Sequence, residues 1–187
     1  MTFDDGPDPI QTPKVLKVLK EHQATACFFC IGRKIEGNEK LLQQMVAEGH
    51  LIGNHTFNHS QLTKLGFDEA VEEINTTNAW ITNISGYTPE YIRPPFGSFT
   101  DELLSETSMS VVMWNVDPLD WKYKNKDIVT DKILKNVKNG DIILMHDIFE
   151  SSVDAAQTVI KELKKQDYVF VTVDKMNSNK QIIRRDK

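Results

Sequence analysis

Cysteine is scarce in this chain, with two among 187 residues, Cys27 and Cys30. Both lie in the apolar stretch Ala26-Cys27-Phe28-Phe29-Cys30-Ile31. In a strand, residues three apart stand ~10 Å apart and point to opposite faces, too far for a disulfide. Two buried free thiols are expected, which excludes a disulfide-stapled scaffold and leaves the compartment open. Also missing is any apolar run near the ~20 residues that a membrane helix needs, and no signal-peptide pattern is seen. An excess of basic charge is absent as well. The 22 Lys and Arg against 27 Asp and Glu give a net charge of -5, which argues against binding to a phosphate backbone. No internal repeat, low-complexity tract or linker divides the chain, so one domain over residues 1–187 is expected.

Apolar residues make up 40% of the chain and charged residues 26%, values of a globular chain able to bury a core. Thr12-Pro13 reads as a helix start, with Thr as N-cap, followed by the stripe Val15, Leu16, Leu19 up to about His22. A buried strand is predicted over 24–31, a helix over 40–48 stopped by Gly49, and a short strand over 51–53. The longest helix is marked by Phe67, Val71, Ile74 and Ile81 and ends at Gly86. Then come a strand at 91–92, a helix at 101–106, a strand at 110–116, a helix at 127–137 and a strand at 141–145. A helix over 153–165 and a strand over 168–173 close the pattern, and the polar tail 177–187 is expected to fray. Alternating strands and helices indicate a parallel α/β sheet or barrel.

Each polar cluster follows a strand, on the rim where such folds place ligands. Asp4 and Asp5 are adjacent carboxylates running into Gly6-Pro7. On an extended backbone they point to opposite sides, so one can bind a cation while the other takes a proton; an Asp-rich surface turn is the plain alternative. A site so near the chain start needs rigidity. Residues before Met1 are therefore expected to supply a first barrel strand, or Met1-Thr2-Phe3 to be its remnant.

His55 and His59 are four apart, which places two imidazoles on one side of a helical turn and suits one metal ion; two surface histidines are the alternative. A carboxylate would complete a two-His-one-Asp set with open positions. Thr56, inside the pair, is expected to hydrogen-bond a ring or the loop backbone.

Five segments in this order carry a resemblance: Thr2-Phe3-Asp4-Asp5-Gly6-Pro7, His55-Thr56-Phe57-Asn58-His59, Arg93-Pro94-Pro95-Phe96-Gly97, Asp117 to Asp120-Trp121, and Leu144-Met145-His146. Together they resemble the motifs of the polysaccharide deacetylases, the NodB-homology domain enzymes of carbohydrate esterase family 4. Residues 114–121 and 142–147 are most similar to peptidoglycan N-acetylglucosamine deacetylases. The resemblance implies a distorted (β/α) barrel whose first strand is truncated here, and metal-dependent removal of acetyl groups from N-acetylglucosamine in peptidoglycan or chitin-like glycans. By the same resemblance Asp5, His55 and His59 hold a divalent ion, zinc first and cobalt, nickel or iron as alternatives. Asp4 is the general base, paired with Arg93, and His146 is the general acid, held cationic by Asp120. The backbone N–H of Phe96 takes the oxyanion; the family often has Tyr there. Trp121 and Leu144 wall the acetyl pocket, although singly each reads as plain core. Asp117 and Asp147 receive no firm role, and helix capping or loop hydrogen bonding is expected of them.

The implied partner is an N-acetylated glycan, met outside the cell or at its surface by a monomer. Three other readings compete: an acetylxylan O-acetyl esterase on the same scaffold, a non-haem iron oxygenase with the same ligand set, and an inactive glycan-binding module. The oxygenase leaves Asp4, Arg93 and His146 without tasks.

Overall fold

The computed structural model describes residues 1–176 and the backbone of residues 182–183. In chain order the elements are β1 (Thr2–Asp4), α1 (Gln11–Glu21), β2 (Cys27–Cys30), α2 (Glu39–Ala47), β3 (Leu51–Asn54), α3 (Phe67–Ser85) and β4 (Tyr91–Ile92). They continue with α4 (Asp101–Thr107), β5 (Ser110–Val112), α5 (Asp120–Tyr123), α6 (Lys126–Asn136), β6 (Leu144–His146), α7 (Glu150–Lys164) and β7 (Ile182–Ile183). The strands form one sheet in the order β6-β1-β2-β3-β4-β5-β7. Every pairing is parallel except β5 with β7. Val116, beyond β5, bridges in parallel to Ile143 just before β6. The chain leaving one side of the sheet thus meets the other side, which curls the sheet into an open, distorted barrel.

The apolar alternation of β2 explains the layering. Phe28 and Cys30 join the large cluster under the helices, with Leu16, Leu42, Met45, Ile133, Val159 and Ile160. Cys27 and Phe29 point the other way, into the barrel interior with Tyr91, Val112 and Ile142. Both thiols are free and buried, as their strand spacing requires. Helix α7 buries Val153, Ala155, Ala156, Val159, Ile160 and Leu163 along one stripe and packs against α1 and α6. Burying each such branched side chain contributes roughly 1.5–3 kcal/mol.

Several local expectations give way to tertiary contacts. Thr12 lies inside α1 and is not its N-cap. The Asp8 carboxylate instead accepts from the N–H groups of Ile10 and Gln11, at 2.9 and 2.7 Å. The strand expected over 110–116 ends at Val112, because Arg93 claims the carbonyls of Val112 and Met113. Residues 168–172 form no strand; Phe170 O accepts from the backbone and hydroxyl of Thr25 without a continuing ladder, and a short 3₁₀ turn follows at Val173–Lys175. Within the tail, Ile182 and Ile183 pair with Val112 and Val111, so that dipeptide is strand; the rest of 177–187 lies outside the described residues. The one-turn helix α5 was not foreseen.

Candidate active site

The candidate residues arrive at the C-terminal ends of β1, β3, β4 and β6. Asp4 ends β1, Asn54 ends β3 just before His55, Arg93 follows β4, and His146 ends β6. Asp4 and His146 are direct partners in the β1–β6 register.

Asp5, His55 and His59 converge, with one ligand atom from each lying within 4.8 Å of the others. Asp5 Oδ1 stands 3.4 Å from His55 Nε2 and 3.2 Å from His59 Nε2. That oxygen is buried and makes no hydrogen bond among the described residues. An orphaned carboxylate oxygen between two imidazole nitrogens fits a cation, since ligand atoms about 2.1 Å from a tetrahedral ion stand about 3.4 Å apart. The tautomer agrees. His55 Nδ1 contacts the Arg93 carbonyl at 2.5 Å, and a carbonyl only accepts, so the proton sits on Nδ1 and Nε2 keeps its lone pair. Burial, with the charge of His55, lowers the pKa of His59 and favours its neutral, ligating form. For Asp5 burial acts the other way, yet the positive charge of the surrounding imidazoles when protonated, His55 foremost, holds its carboxyl at about 2.

The segment between the two histidines is a bent loop, not the helical turn that their spacing suggested. Thr56 and His59 adopt φ values of 61° and 62°. Polar anchors hold this shape. Asn54 Oδ1 accepts from the Thr56 N–H at 2.7 Å, and the Glu73 carboxylate receives the Asn58 N–H at 2.8 Å and its side-chain amide at 2.6 Å. The Thr56 hydroxyl, expected to orient a ring or the loop, is buried without a hydrogen-bond partner among the described residues. Orientation comes from Asn54 and Glu73, which sequence reasoning passed over. Only their position one residue before the pair and on the neighbouring helix α3 marks them.

Arg93 is fully buried. Its Nη1 donates to Asp4 Oδ1 at 2.8 Å and Thr2 Oγ1 at 2.7 Å, Nε to Val112 O at 3.0 Å, and Nη2 to Met113 O at 3.1 Å. Its guanidinium lies 4.4 Å from the Phe29 ring centroid. Such a pair is an interior fixture and not the weak surface ion pair that a lone Arg-Asp match suggests.

On the other side, Asp120 is wholly buried and four donors surround it. His146 Nδ1 reaches Oδ1 at 2.7 Å and the His146 N–H reaches Oδ2 at 2.8 Å. Ser152 Oγ donates to Oδ2 at 2.6 Å and the Trp121 N–H to Oδ1 at 2.9 Å. Burial works against the imidazolium, but the Asp120 hydrogen bond and charge, with Asp4 and Asp5, raise the His146 pKa to about 9. Ser152, on α7, carried no motif that a sequence reading would single out.

Phe96 takes φ 61° and is 68% exposed, its ring 5.1 Å from that of His59. Trp121 is 48% exposed on α5, while Leu144 is buried in β6. Asp117 and Asp147 both make hydrogen bonds of the kind expected, Asp117 accepting from the Leu119 N–H at 2.8 Å, and Asp147 packs against Gly6 as well. The Asp147 carboxylate accepts from Thr12 Oγ1 at 2.5 Å and lies so close to Gly6 that a Cβ there would meet Oδ2 at 2.4 Å. Only glycine lets the turn after Asp5 pass. Burial raises the Asp147 pKa to about 7. A cavity of about 480 Å³ opens at the opposite, N-terminal ends of the strands, among Met1, Asn115, Lys138, Ile142 and Phe170, and includes none of the candidate residues.

A curled parallel sheet with two imidazoles and a carboxylate converging at one mouth, beside a carboxylate-held imidazole, defines an α/β barrel protein whose rim carries a donor set that could hold a metal ion. The chain belongs to the polysaccharide deacetylase family, whose family model matches residues 1–110. It is 42% identical over 180 residues to the peptidoglycan-N-acetylmuramic acid deacetylase PdaC of Bacillus subtilis, covering 96% of this chain and 38% of that protein. The solved structure of PdaC superposes with a TM-score of 0.92 at 43% identity, over 94% of this chain and 87% of that one. The peptidoglycan-N-acetylglucosamine deacetylase PgdA of Listeria monocytogenes is 39% identical over 96% of this chain and 39% of its own length. The chain thus spans about two fifths of these curated relatives. A pseudoenzyme of the same family, BA3943 of Bacillus anthracis, superposes with a TM-score of 0.86 at 29% identity, over 94% of this chain and 63% of that one, so the fold alone does not guarantee turnover.

Proposed function

We propose that residues 1–187 form the catalytic domain of a metal-dependent N-deacetylase that hydrolyses the acetamide of N-acetylhexosamine residues in peptidoglycan or chitin-like glycans, releasing acetate at the cell surface. The observation that carries this reading is the β1–β6 register, which sets Asp4 beside His146, with Asp5 the next residue along. Base, acid and cation grip thereby share one mouth. Asp5, His55 and His59 would hold the ion, and the family's metal dependence agrees with that donor set. A divalent ion, zinc first, supplies acidification of water and polarisation of the acetyl carbonyl.

Asp4, aimed by Arg93, accepts the proton of the attacking water. The Phe96 backbone N–H donates to the oxygen on which negative charge gathers. His146, protonated at neutral pH, donates from Nε2 to the nitrogen as the C–N bond breaks, because an amine anion is a very poor leaving group. Asp120 keeps Nδ1–H engaged throughout. Trp121 and Leu144 flank the acetyl group. The decisive experiment is acetate release with mass-spectrometric product analysis on peptidoglycan, N-acetylglucosamine oligomers and acetylxylan, with added divalent metal. Acetate from the N-acetylated glycans is expected. Release from acetylxylan alone would make the chain an O-acetyl esterase, and glycan binding without release from any substrate would make it a binding module.

A further inference from the structure

The chain is acidic overall, yet residues 122–138 hold six lysines against two aspartates. This basic arm begins at the site itself, since α5 starts with Asp120 and the Lys124 N–H donates to the Asp120 carbonyl at 2.9 Å. Lys122, Lys124 and Lys126 are exposed, and no carboxylate among the described residues lies within 4.0 Å of their amines. By contrast Lys135, farther along α6, is neutralised by Asp131 at 2.7 Å.

The free amines are not swinging loosely in water. Lys124 Nζ lies 4.7 Å from the centroid of the Phe149 ring, and Lys122 Nζ 5.9 Å from that of Tyr123. Cation–ring contacts of this kind locate the charge while leaving its hydrogen-bond donors available. Phe149 in turn stands 6.3 Å from the His146 ring. One aromatic ring therefore separates an unpaired cation from the imidazole assigned to the leaving amine.

We infer that Lys122 and Lys124 form a subsite for carboxylate groups carried by the glycan, which makes a carboxylate-bearing N-acetylated glycan the preferred substrate over a neutral one. The inference rests on the deacetylase reading, and it goes further by assigning the class of substrate. Two sources of carboxylate fit the same chemistry: an acidic ether substituent on the sugar, or a peptide attached through it. A solvated helix face is the plain alternative.

The test measures kcat/KM for the metal-loaded protein on three substrates: neutral N-acetylglucosamine oligomers, peptide-free glycan strands bearing N-acetylmuramic acid, and peptide-bearing peptidoglycan fragments. The acidic-to-neutral ratio of kcat/KM is expected to fall about fivefold to tenfold in the Lys122→Ala/Lys124→Ala double variant, and the loss should shrink as salt is raised. Lys161→Ala, on α7, leaves the ratio unchanged. A drop on both acidic substrates assigns the sugar's own carboxylate; a drop on peptide-bearing fragments alone assigns the peptide's. An unchanged ratio overturns the subsite. Calorimetric binding of the same three glycans gives a readout independent of turnover. If the protein releases no acetate from any of them, the deacetylase reading fails, while selective loss of acidic-glycan binding in the double variant still upholds the subsite and equal binding rejects it.

Discussion

Asp4 and Asp5 are neighbours in sequence and separate in task. Asp4 stays in β1 and locks onto Arg93, while Asp5 leaves the strand at φ 73° and turns its carboxylate to the two histidines. A left-handed conformation at a side-chain-bearing residue costs on the order of 1 kcal/mol, and Thr56, His59, Phe96 and Leu119 adopt it too. Gln23, Ser108 and Asp167 adopt it elsewhere, so only the five at the mouth bear on the placement of candidate site residues. The division of labour is testable. Asp4→Asn is expected to retain the metal and lose about 10²–10⁴-fold in kcat, whereas His55→Ala loses both metal and turnover; metal analysis beside acetate release distinguishes them. An active Asp4→Asn variant would mean that the base is another group.

In the proposed mechanism His146 would set the alkaline limit. Without a bound cation its pKa is raised from the ordinary 6.5 to about 9, so the protonated acid persists through neutral pH and activity falls on the alkaline side. Part of that rise comes from Asp5, which a bound cation neutralises, so the limb of the loaded enzyme lies below that value. Asp120→Asn removes the main support, and the alkaline limb of kcat should move down by a pH unit or more. A limb that stays in place in that variant would show that another group donates the proton.

At the scale of the element, the loop from β3 to α3 shows how short-range polar anchors replace regular structure. Helix α3 carries Glu73 on its buried face, and this carboxylate collects both Asn58 donors. The same helix offers Asn78, whose side-chain oxygen takes the Asn54 amide at 2.8 Å. Glu73→Ala frees the His59 end of the loop without touching a ligand. Metal affinity is expected to fall roughly 10–100-fold while the far-ultraviolet circular dichroism stays unchanged. Titration with a fluorescent chelator gives the number, and native affinity would show that the loop holds its shape without the anchor.

For the whole molecule, the cation grip ties β1 to the loop after β3 across the intervening strand β2. Metal binding should therefore stabilise the folded chain. At a free ion concentration a hundred times Kd the gain is about 2.7 kcal/mol. For a domain of this size that corresponds to a rise in Tm of about 5–10 °C. Scanning calorimetry with and without chelator measures it, and His59→Ala should abolish the difference.

Much of this arrangement was legible in the chain itself. Apolar periodicity gave the helices and parallel strands, because burial of a stripe or a face is dictated by neighbours in sequence. The five polar segments, each following a strand, located the rim and the residues on it. Where sequence reasoning failed, the reason was a distant partner. Residues 168–172 look like a strand but lack a ladder to join, and the two histidines look helical until Asn54 and Glu73 bend their loop. The contacts of Asp147 and Ser152 emerged only once α1 brought Thr12 to the first and α7 carried the second to Asp120. Local pattern determined which polar residues lie on the rim. Which carboxylate meets which imidazole was decided by the curl of the sheet, since the close approaches of Asp5 to His55 and His59 and of Asp120 to His146, 26 to 54 positions apart, are set by packing.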